Sequence, residues 1–272
     1  MPYPLAKLAY GLRCRLNELA TPVERYRLQT AAGNASTCPP LQRSIETLND
    51  LNIFYVNEKV TVSGMYGRGS IDYKKYGLVH CGSDYICVIN TNAQNVAKPF
   101  EYFLHPKEML YLQDCHLSLP FLEEVAKFIG TTEKICFWGS TNRGYHLNIA
   151  IVMTVFPNVK SILFHDSPFD PTWITDTALF DQHNLTRLEF TMTLKEYKTY
   201  SVDAIETFLR AQTKGFKLKL IVHDTSRKPN RIDYDLEVAL KGKFEKDRPG
   251  EGFTQIKLSS DELKTTLYLT DI

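Results

Sequence analysis

A short apolar pattern that recurs at a nearly constant spacing is the feature that most constrains this fold. Runs of the form apolar-x-apolar begin at Leu110, Ile135, Ile162, Leu188 and Leu218. Their first residues are 25, 27, 26 and 30 positions apart. A repeat of this period is typical of chains that stack one small structural unit on the next. The pattern therefore predicts strands that lie side by side in one sheet.

The position three residues beyond the end of each run carries a side chain suited to the end of a strand. These residues are, in order, Cys115, Ser140, Ser167, Thr193 and His223. The arrangement is similar to a leucine-rich repeat, where a small polar residue or Cys at this position bonds backbone groups. Helix-like stretches at 121–129, 147–156, 173–180 and 202–211 would return the chain between strands. The alternative is an ordinary α/β sheet whose spacing is regular by chance.

The segments on either side of the repeat also contain strand-like patterns. Residues 53–56 and 60–62 flank a polar stretch and indicate a β-hairpin, and residues 85–89 form another β-rich run. A short helix is expected at 41–51. Beyond the last repeat, the pieces at 253–258 and 267–269 are strand-like and would cover the open end of a repeat sheet.

A stripe of leucines dominates the N-terminus. It consists of Leu5, Leu8, Leu12, Leu16 and Leu19. At 100° per residue these side chains fall within an arc of roughly 80°, which predicts one apolar face on a helix of about four turns. Such a helix needs the following domain or a partner protein to cover this face.

A second helix is predicted directly after the leucine stripe. Thr21 is suited to the N-cap, Pro22 to the first helical position, and Glu24 to the third position of a capping box. The pair Gly33-Asn34 favours a helix end, because both residues tolerate a positive φ. These signals give the second helix a defined start and stop.

Composition excludes several classes of protein. The chain has 272 residues, a formal net charge of +1 and a hydrophobic fraction of 43%. This balance does not favour nucleic acid or a membrane surface as a partner. No apolar run is long enough to span a bilayer, and the N-terminus lacks a secretory signal pattern. The six cysteines form no CxxC pair, so reduced thiols and an intracellular location, cytoplasmic or nuclear, are expected.

The residue types of common active sites are present but poorly arranged. Residues 164–167 read Phe-His-Asp-Ser, yet neighbours on one strand point to opposite faces and cannot form a relay. Glycines at 64, 67 and 69 lack the Lys-Ser/Thr of a phosphate-binding loop. The pairs 80–81 and 115–116 lack the spacing of a zinc site. We therefore expect no catalytic residues, metal or cofactor, and a protein that is not an enzyme.

The N-terminal region resembles a known docking module. The pattern Pro4-Leu5-x-x-Leu8-x-x-x-Leu12-x-x-x-Leu16-x-x-Leu19-x-Thr21-Pro22-x-Glu24 resembles the F-box, which binds the Skp-type adaptor of cullin–RING ubiquitin ligases. More narrowly, ELATPVERYRLQTAAGN and the later CPPLQ look like a nematode-expanded set of F-box-like proteins with a leucine-rich-repeat-like C-terminal domain. The resemblance implies adaptor binding through the five leucines and Pro22.

These patterns combine into one expected architecture. We expect an α/β protein with an F-box-like helical module at 1–50, a β-rich connecting segment at 51–107 and a leucine-rich-repeat-like curved sheet, with outer helices and a cap, at 108–272. The resemblance implies a substrate-recognition subunit that binds an adaptor through the module and an unknown target protein through the repeat. The alternative is a non-enzymatic scaffold protein whose N-terminal helices only cap the next domain.

The repeat also predicts which side chains face away from the core. The middle residue of each run and the residue two further on would point outward. They are Tyr111 and Gln113, Cys136 and Trp138, Leu163 and His165, Glu189 and Thr191, and Lys219 and Ile221. Trp138, with Tyr111, His165 and Glu189, is the expected centre of a partner-binding surface. The alternative is that Trp138 is buried beneath the loop at 139–145.

Overall fold

The structure is a computed structural model of the whole chain. It describes residues 7–34, 37–46, 50–56, 59–64, 70–72, 79–81, 85–104, 109–142, 144–174, 184–223, 244–246, 254–259 and 264–269. The chain forms two compact units, Met1–Ile129 and Gly130–Ile272. The sequence predicted domain boundaries after residues 50 and 107. The observed boundary follows Ile129 instead, and the first strand of the predicted repeat therefore belongs to the first unit.

The first unit contains four helices and eight strands among the described residues. In chain order they are α1 Tyr10–Leu19, α2 Pro22–Ala32, β1 Ser44–Glu46, β2 Asp50–Val56, β3 Lys59–Gly64, β4 Ser70–Ile71, β5 Val79–Cys81, β6 Tyr85–Ile89, α3 Ala97–Phe100, β7 Phe103–Leu104, β8 Met109–Cys115 and α4 Leu119–Ile129. Strands β8, β6 and β2 are parallel neighbours, and β3 and β4 continue antiparallel from β2. Strands β1, β5 and β7 form a separate small parallel sheet.

The leucine-striped helix is shorter than predicted. α1 begins at Tyr10, so Leu8 precedes it, and Leu5 lies outside the described residues. The N-cap residue is Ala9, whose side chain cannot accept a hydrogen bond from the first turn. The leucine spacing predicted a helix here but contained no signal for its first residue.

The second helix is confirmed in detail. Thr21 Oγ1 accepts a hydrogen bond from the Glu24 amide at 3.3 Å, and Glu24 Oε2 accepts one from the Thr21 amide at 2.8 Å. Pro22 occupies the first turn, and Gly33 ends the helix with a φ of 63°. Both ends of α2 are therefore fixed by local side-chain and backbone chemistry.

The helix predicted at 41–51 is wrong. β1 occupies Ser44–Glu46 and β2 begins at Asp50. The buried amide of Gln29 holds the segment before β1 in place: its Nε2 donates to Cys38 O at 2.6 Å and to Pro40 O at 2.8 Å, and its Oε1 accepts from the Gln42 amide at 2.8 Å. Hydrogen bonds to a distant helix have overridden the local helical pattern.

The second unit alternates strands and helices. In chain order they are β9 Lys134–Ser140, α5 Ile149–Val155, β10 Ser161–His165, a 3₁₀ helix at Pro171–Ile174, β11 Arg187–Thr193, α6 Leu194–Tyr197, α7 Val202–Arg210, β12 Lys217–His223, β13 Phe244–Lys246, β14 Gln255–Ser259 and β15 Lys264–Leu269. The neighbours β9, β10, β11, β12 and β14 are parallel. β15 and then β13 add antiparallel strands at the end of this sheet.

The predicted repeat strands are confirmed, and their register follows the repeat. Ile162 lies beside both Ile135 and Leu188, and Leu188 lies beside Leu218. The molecule is therefore a mixed α/β protein with largely parallel pairing. Of the predicted connecting helices, those at 121–129, 147–156 and 202–211 are found with slightly different ends, and Ser201 caps α7 by accepting from the Ala204 amide. At 173–180 only the 3₁₀ helix lies within the described residues.

One face of the second unit's sheet carries the hydrophobic core. Phe137, Phe164 and Phe190 stack in successive strands, with ring centroids 5.3 Å apart in both pairs. Trp173 of the 3₁₀ helix stacks on Phe190 at 4.5 Å and meets Phe208 of α7 edge-on. We call this side the phenylalanine face. The side that bears Trp138, His165, Glu189 and Lys219 is called the open face.

The sequence repeat includes one more strand, on the N-terminal side, than the sequence analysis indicated. β6 carries the run Ile86-Cys87-Val88, which begins 24 residues before Leu110, and Thr91 stands at the strand-end position. Thr91 Oγ1 donates to Ile89 O at 3.0 Å, and Cys115 Sγ lies 3.3 Å from Val88 O. Both side chains bond backbone carbonyls, as expected for that position.

The backbone has the same conformation near the C-terminal end of each early strand. Asn90, Asp114, Gly139 and Asp166 all have a positive φ, between 49° and 57°, and each directly precedes the strand-end position. Asn, Asp and Gly are the residues that adopt this conformation at least cost. The corresponding residues of β11 and β12, Met192 and Val222, do not have a positive φ.

The two faces of the sheet predict unequal losses of stability for two aromatic truncations. Phe190→Ala should lower the free energy of unfolding by about 3–5 kcal/mol, because it opens a cavity within the stack. Trp138→Ala, on the half-exposed open face, should cost about 1 kcal/mol or less. Urea denaturation of both variants and the parent checks this, and equal losses would contradict the assignment of the core to the phenylalanine face.

Candidate functional site

Trp138 and His165 form an aromatic pair on the open face. Register places His165 directly beside Trp138 on the adjacent strand, and their ring centroids are 5.6 Å apart at a tilt of 39°. Trp138 is 50% exposed, so the alternative that the loop at 139–145 buries it is wrong. A half-exposed Trp on a regular strand presents a large apolar surface to solvent without requiring any backbone change.

Glu189 is the buried charge beside this pair. The residue is 3% exposed, although it lies on the open face. Its Oε2 accepts from Arg187 Nη2 at 2.5 Å, its Oε1 accepts from Lys219 Nζ at 2.6 Å, and His165 Nε2 lies 3.7 Å from Oε1. Two cations therefore satisfy the carboxylate, as a buried charge requires.

The environment of Glu189 and His165 sets their protonation. Burial by itself would raise the pKa of Glu189, but the hydrogen bonds and charges of Lys219 and Arg187 outweigh it and hold the pKa below its usual value. Burial lowers the pKa of His165, and the nearby Lys219 and Arg187 add to this, against the opposing effect of Glu189 and Asp166. At neutral pH the pair is therefore an ionised carboxylate and a neutral imidazole.

The imidazole is also held by its other nitrogen. His165 Nδ1 lies 2.8 Å from Thr191 Oγ1. Because Thr191 lies on β11, two residues beyond Glu189, both nitrogens of the ring face partners on that one strand. The ring is thereby fixed in the orientation that places it against Trp138.

Three of the predicted outward residues differ from expectation in exposure. Cys136 is 1% exposed and Thr191 is 9% exposed, and Glu189, proposed for a contact surface, is itself covered. Alternation along a strand determines which face a side chain is on, but long neighbours determine whether water reaches it. Tyr111 belongs to the first unit, where it is half-buried and packs edge-on against Tyr85 with centroids 5.2 Å apart.

The first unit presents a second apolar surface, on α1. Every residue of this helix is described, and none is buried. Leu12 is 59% exposed and Leu19 is 68% exposed, whereas Leu8 and Leu16 are half-buried. Tyr10 and Leu41 are also exposed. Among the described residues, four of the seven large exposed apolar side chains thus lie between residues 10 and 41.

α2 is anchored to its own unit and supports α1. Val23 is buried, and its amide donates to Glu101 O at 3.0 Å. Arg25 reaches back to the end of α1, with Nη2 at 3.2 Å from Asn17 O and 3.4 Å from Ala20 O. Pro22 is half-buried at the start of α2. The α1–α2 turn is therefore fixed in place, while the leucines of α1 remain accessible.

The groups that resembled an active site are not brought together. His165 bonds Thr191, whereas the Ser167 hydroxyl is buried without a hydrogen-bond partner in the described structure. Burial raises the pKa of Cys87 and of Cys115 to about 12, so both are unreactive thiols at neutral pH. Within the described ranges, no cluster of three metal-ligating side chains is found, and no helix is long and apolar enough to cross a bilayer.

Sequence reasoning missed the two cations that complete the Glu189 cluster. Arg187 lies two residues before Glu189 on the same strand and therefore on the same face. Lys219 lies beside Glu189 because the spacing of 30 between the two runs sets their register. The alternation rule could have indicated Arg187, and the repeat spacing could have indicated Lys219.

Comparisons with known proteins identify no family. No protein-family model matches the chain, and no curated protein or solved structure resembles it at a significant level. The features of the chain that bear on its function are therefore its two exposed surfaces, the α1 leucines and the open face.

Removing the charge of Glu189 should destabilise the second unit. Glu189→Gln leaves Arg187 and Lys219 close together without a carboxylate, and should lower the free energy of unfolding by about 1–3 kcal/mol at pH 7. Glu18→Gln, which breaks an exposed pair with Arg15, should cost less than about 0.5 kcal/mol. Chemical denaturation measures both, and a neutral Glu189→Gln would contradict the role assigned to the cluster.

His165 should make stability dependent on pH. Its pKa in the folded protein lies below the ordinary 6.5, so the unfolded chain takes up this proton first as the pH falls. The free energy of unfolding should therefore decrease below pH 6.5 and level off once the pH is below the folded-state pKa. In His165→Gln this loss should be smaller than in the parent, as measured by denaturation between pH 7.5 and 5. An unchanged pH profile would show that His165 titrates normally.

Proposed function

We propose that this protein is a substrate-recognition subunit of a cullin–RING ubiquitin ligase. In this proposal the N-terminal helices bind a Skp-type adaptor in the manner of an F-box, and the repeat domain, which we take to be leucine-rich-repeat-like, binds a target protein. The observation that carries the proposal is the exposure of the α1 leucines on a helix that buries no side chain of its own.

The energetics of α1 favour an intermolecular partner. Burying a Leu side chain contributes roughly 1.5–3 kcal/mol, and this gain is not realised for Leu12 or Leu19 within the described structure. The two residues lie on one helical face, about 20° apart at 100° per residue, and Leu16 lies about 40° on the other side of Leu12. A helix-in-groove contact uses this kind of apolar stripe.

The fixed position of α2 also supports the proposal. A docking helix binds more tightly when it is ordered before it meets its partner, because less conformational entropy is lost on binding. The capping box of Thr21 and Glu24 and the contacts of Arg25 and Gln29 provide this order without covering α1. The sequence resemblance to the F-box and the accessible stripe therefore point to the same surface.

A plain scaffold protein is the second candidate. The hydrogen bond from the Val23 amide to Glu101 O, together with the burial of Val23, shows that α2 packs on its own unit as an end cap would. The two candidates differ in the role of α1. An end cap needs α1 for stability, whereas a docking module needs it for binding.

A charge placed on the leucine stripe should separate stability from binding. We expect Leu12→Asp in the full-length protein to abolish capture of a purified Skp-type adaptor, because a buried carboxylate in the interface would lack a partner. The same change should lower the free energy of unfolding by less than about 1 kcal/mol, because Leu12 is exposed in the free protein. Adaptor pull-down and chemical denaturation give the two readouts.

Leu119→Asp is the matched control. This residue is also exposed, but it lies in the first turn of α4, where a negative charge is tolerated. It should leave both adaptor capture and stability near the parent values. If Leu12→Asp instead unfolds the protein, or if the parent does not capture the adaptor, the proposed function fails. The scaffold hypothesis, in which the N-terminal helices only cap the next domain, is then favoured.

A further inference from the structure

The open face of the second unit carries an excess of positive charge that the whole chain does not have. The chain as a whole has a formal net charge of +1. The described charged side chains on the open-face positions of the parallel strands are Lys134, Arg187, Lys217, Lys219 and Lys257 against Glu189. These six groups give this face a formal charge of +4.

The register of the strands places like charges directly side by side. Arg187 lies beside Lys217, and Lys219 lies beside Lys257. Like charges at directly paired positions destabilise a sheet. Glu189 compensates Arg187 and Lys219 only. Lys134, Lys217 and Lys257 are exposed and form no ion pair within the described part of the chain.

Four of the five cations and the aromatic pair occupy different strands of the same face. Trp138 and His165 lie on β9 and β10, whereas four of the cations lie on β11, β12 and β14. Strands in a sheet are about 4.8 Å apart, so Lys219 is about 14 Å across the sheet from Trp138. An extended peptide covers this distance in about four residues at roughly 3.3 Å per residue.

From this arrangement we infer that the open face binds an acidic peptide segment of the target protein. The segment places one apolar residue against Trp138 and a run of Asp or Glu side chains, about four residues away, over Arg187, Lys217, Lys219 and Lys257. This inference rests on the proposed function, because it gives the chemistry of the target that the repeat domain would recognise. Charge complementarity selects the acidic run, and the half-exposed indole selects the apolar residue.

A protein segment fits this face better than a nucleic acid. Four of the five cations lie on β11, β12 and β14, and Lys134 lies at the start of β9, whereas the rest of the β9–β10 end is apolar, with Leu163 beside Cys136 and Trp138 two residues further along β9. A polynucleotide needs phosphate contacts along its whole track and stacking platforms repeated from base to base. Here one indole and one imidazole form a single platform.

Peptide binding to the full-length protein tests the inference. The probe is a fluorescein-labelled peptide with one Leu four residues before the run Glu-Asp-Glu-Glu, read by fluorescence anisotropy. Two matched peptides replace the Leu by Ala or the acidic run by Gln-Asn-Gln-Gln. We expect the first peptide to bind most tightly, with an affinity that falls as salt is raised from 50 to 300 mM, because the contacts are exposed charges.

Substitutions on the open face test whether the peptide binds there. Lys217→Glu combined with Lys257→Glu should weaken binding roughly tenfold, because two exposed attractions become repulsions. Trp138→Ala should weaken it about thirtyfold if the indole is the apolar anchor. Lys98→Glu combined with Lys195→Glu changes the net charge equally at exposed sites elsewhere and should leave binding unchanged. Equal loss in both double variants would overturn the inference.

The same samples separate this inference from the proposed function. Adaptor capture without binding of the acidic peptide would overturn the inference and leave the adaptor role standing. Peptide binding without adaptor capture would support the open face as a peptide site and reject the ubiquitin-ligase role. A random single-stranded RNA of 20 nucleotides serves as a competitor, and RNA that binds more tightly than the acidic peptide would overturn the inference.

Discussion

The register of the parallel strands in the second unit is the constraint on which the rest of that unit depends. Stacking of Phe137, Phe164 and Phe190 requires these residues to lie beside one another on adjacent strands. Trp173 of the 3₁₀ helix packs on Phe190 only in this register. A slip of one residue would turn the phenylalanines outward and bring Glu189 and its cations into the core. The packing of one face thus fixes the chemistry of the other, which is why Trp138 meets His165 and Glu189 meets Lys219.

The protein leaves two apolar surfaces accessible for different physical reasons. On α1 the leucines belong to a helix too short and too peripheral to bury them, although α2 beneath it is firmly anchored. On the open face Trp138 remains half-exposed, with the imidazole of His165 on the adjacent strand against its ring. Both surfaces are presented by ordered elements, so a partner would bind them with little loss of backbone entropy.

Features that depend on nearby residues could be predicted from the sequence, whereas those that depend on distant contacts could not. The capping box at Thr21 and the strands that carry Ile135, Ile162, Leu188 and Leu218 follow from local chemistry and periodicity, and the structure contains them. The conformation of the segment before β1 could not be predicted, because Gln29 on another element holds it in place. The cluster around Glu189 required the register, and hence the spacing between repeats, to be known first.

Amide hydrogen exchange on the full-length protein, with and without a purified Skp-type adaptor, tests the central claim most directly. We expect slower exchange on addition of the adaptor in α1, residues 10–19, and in the turn into α2, with no change in β11 and β12 of the second unit. Unchanged exchange in α1 at saturating adaptor, or slowing confined to the open face of the second unit, would contradict it.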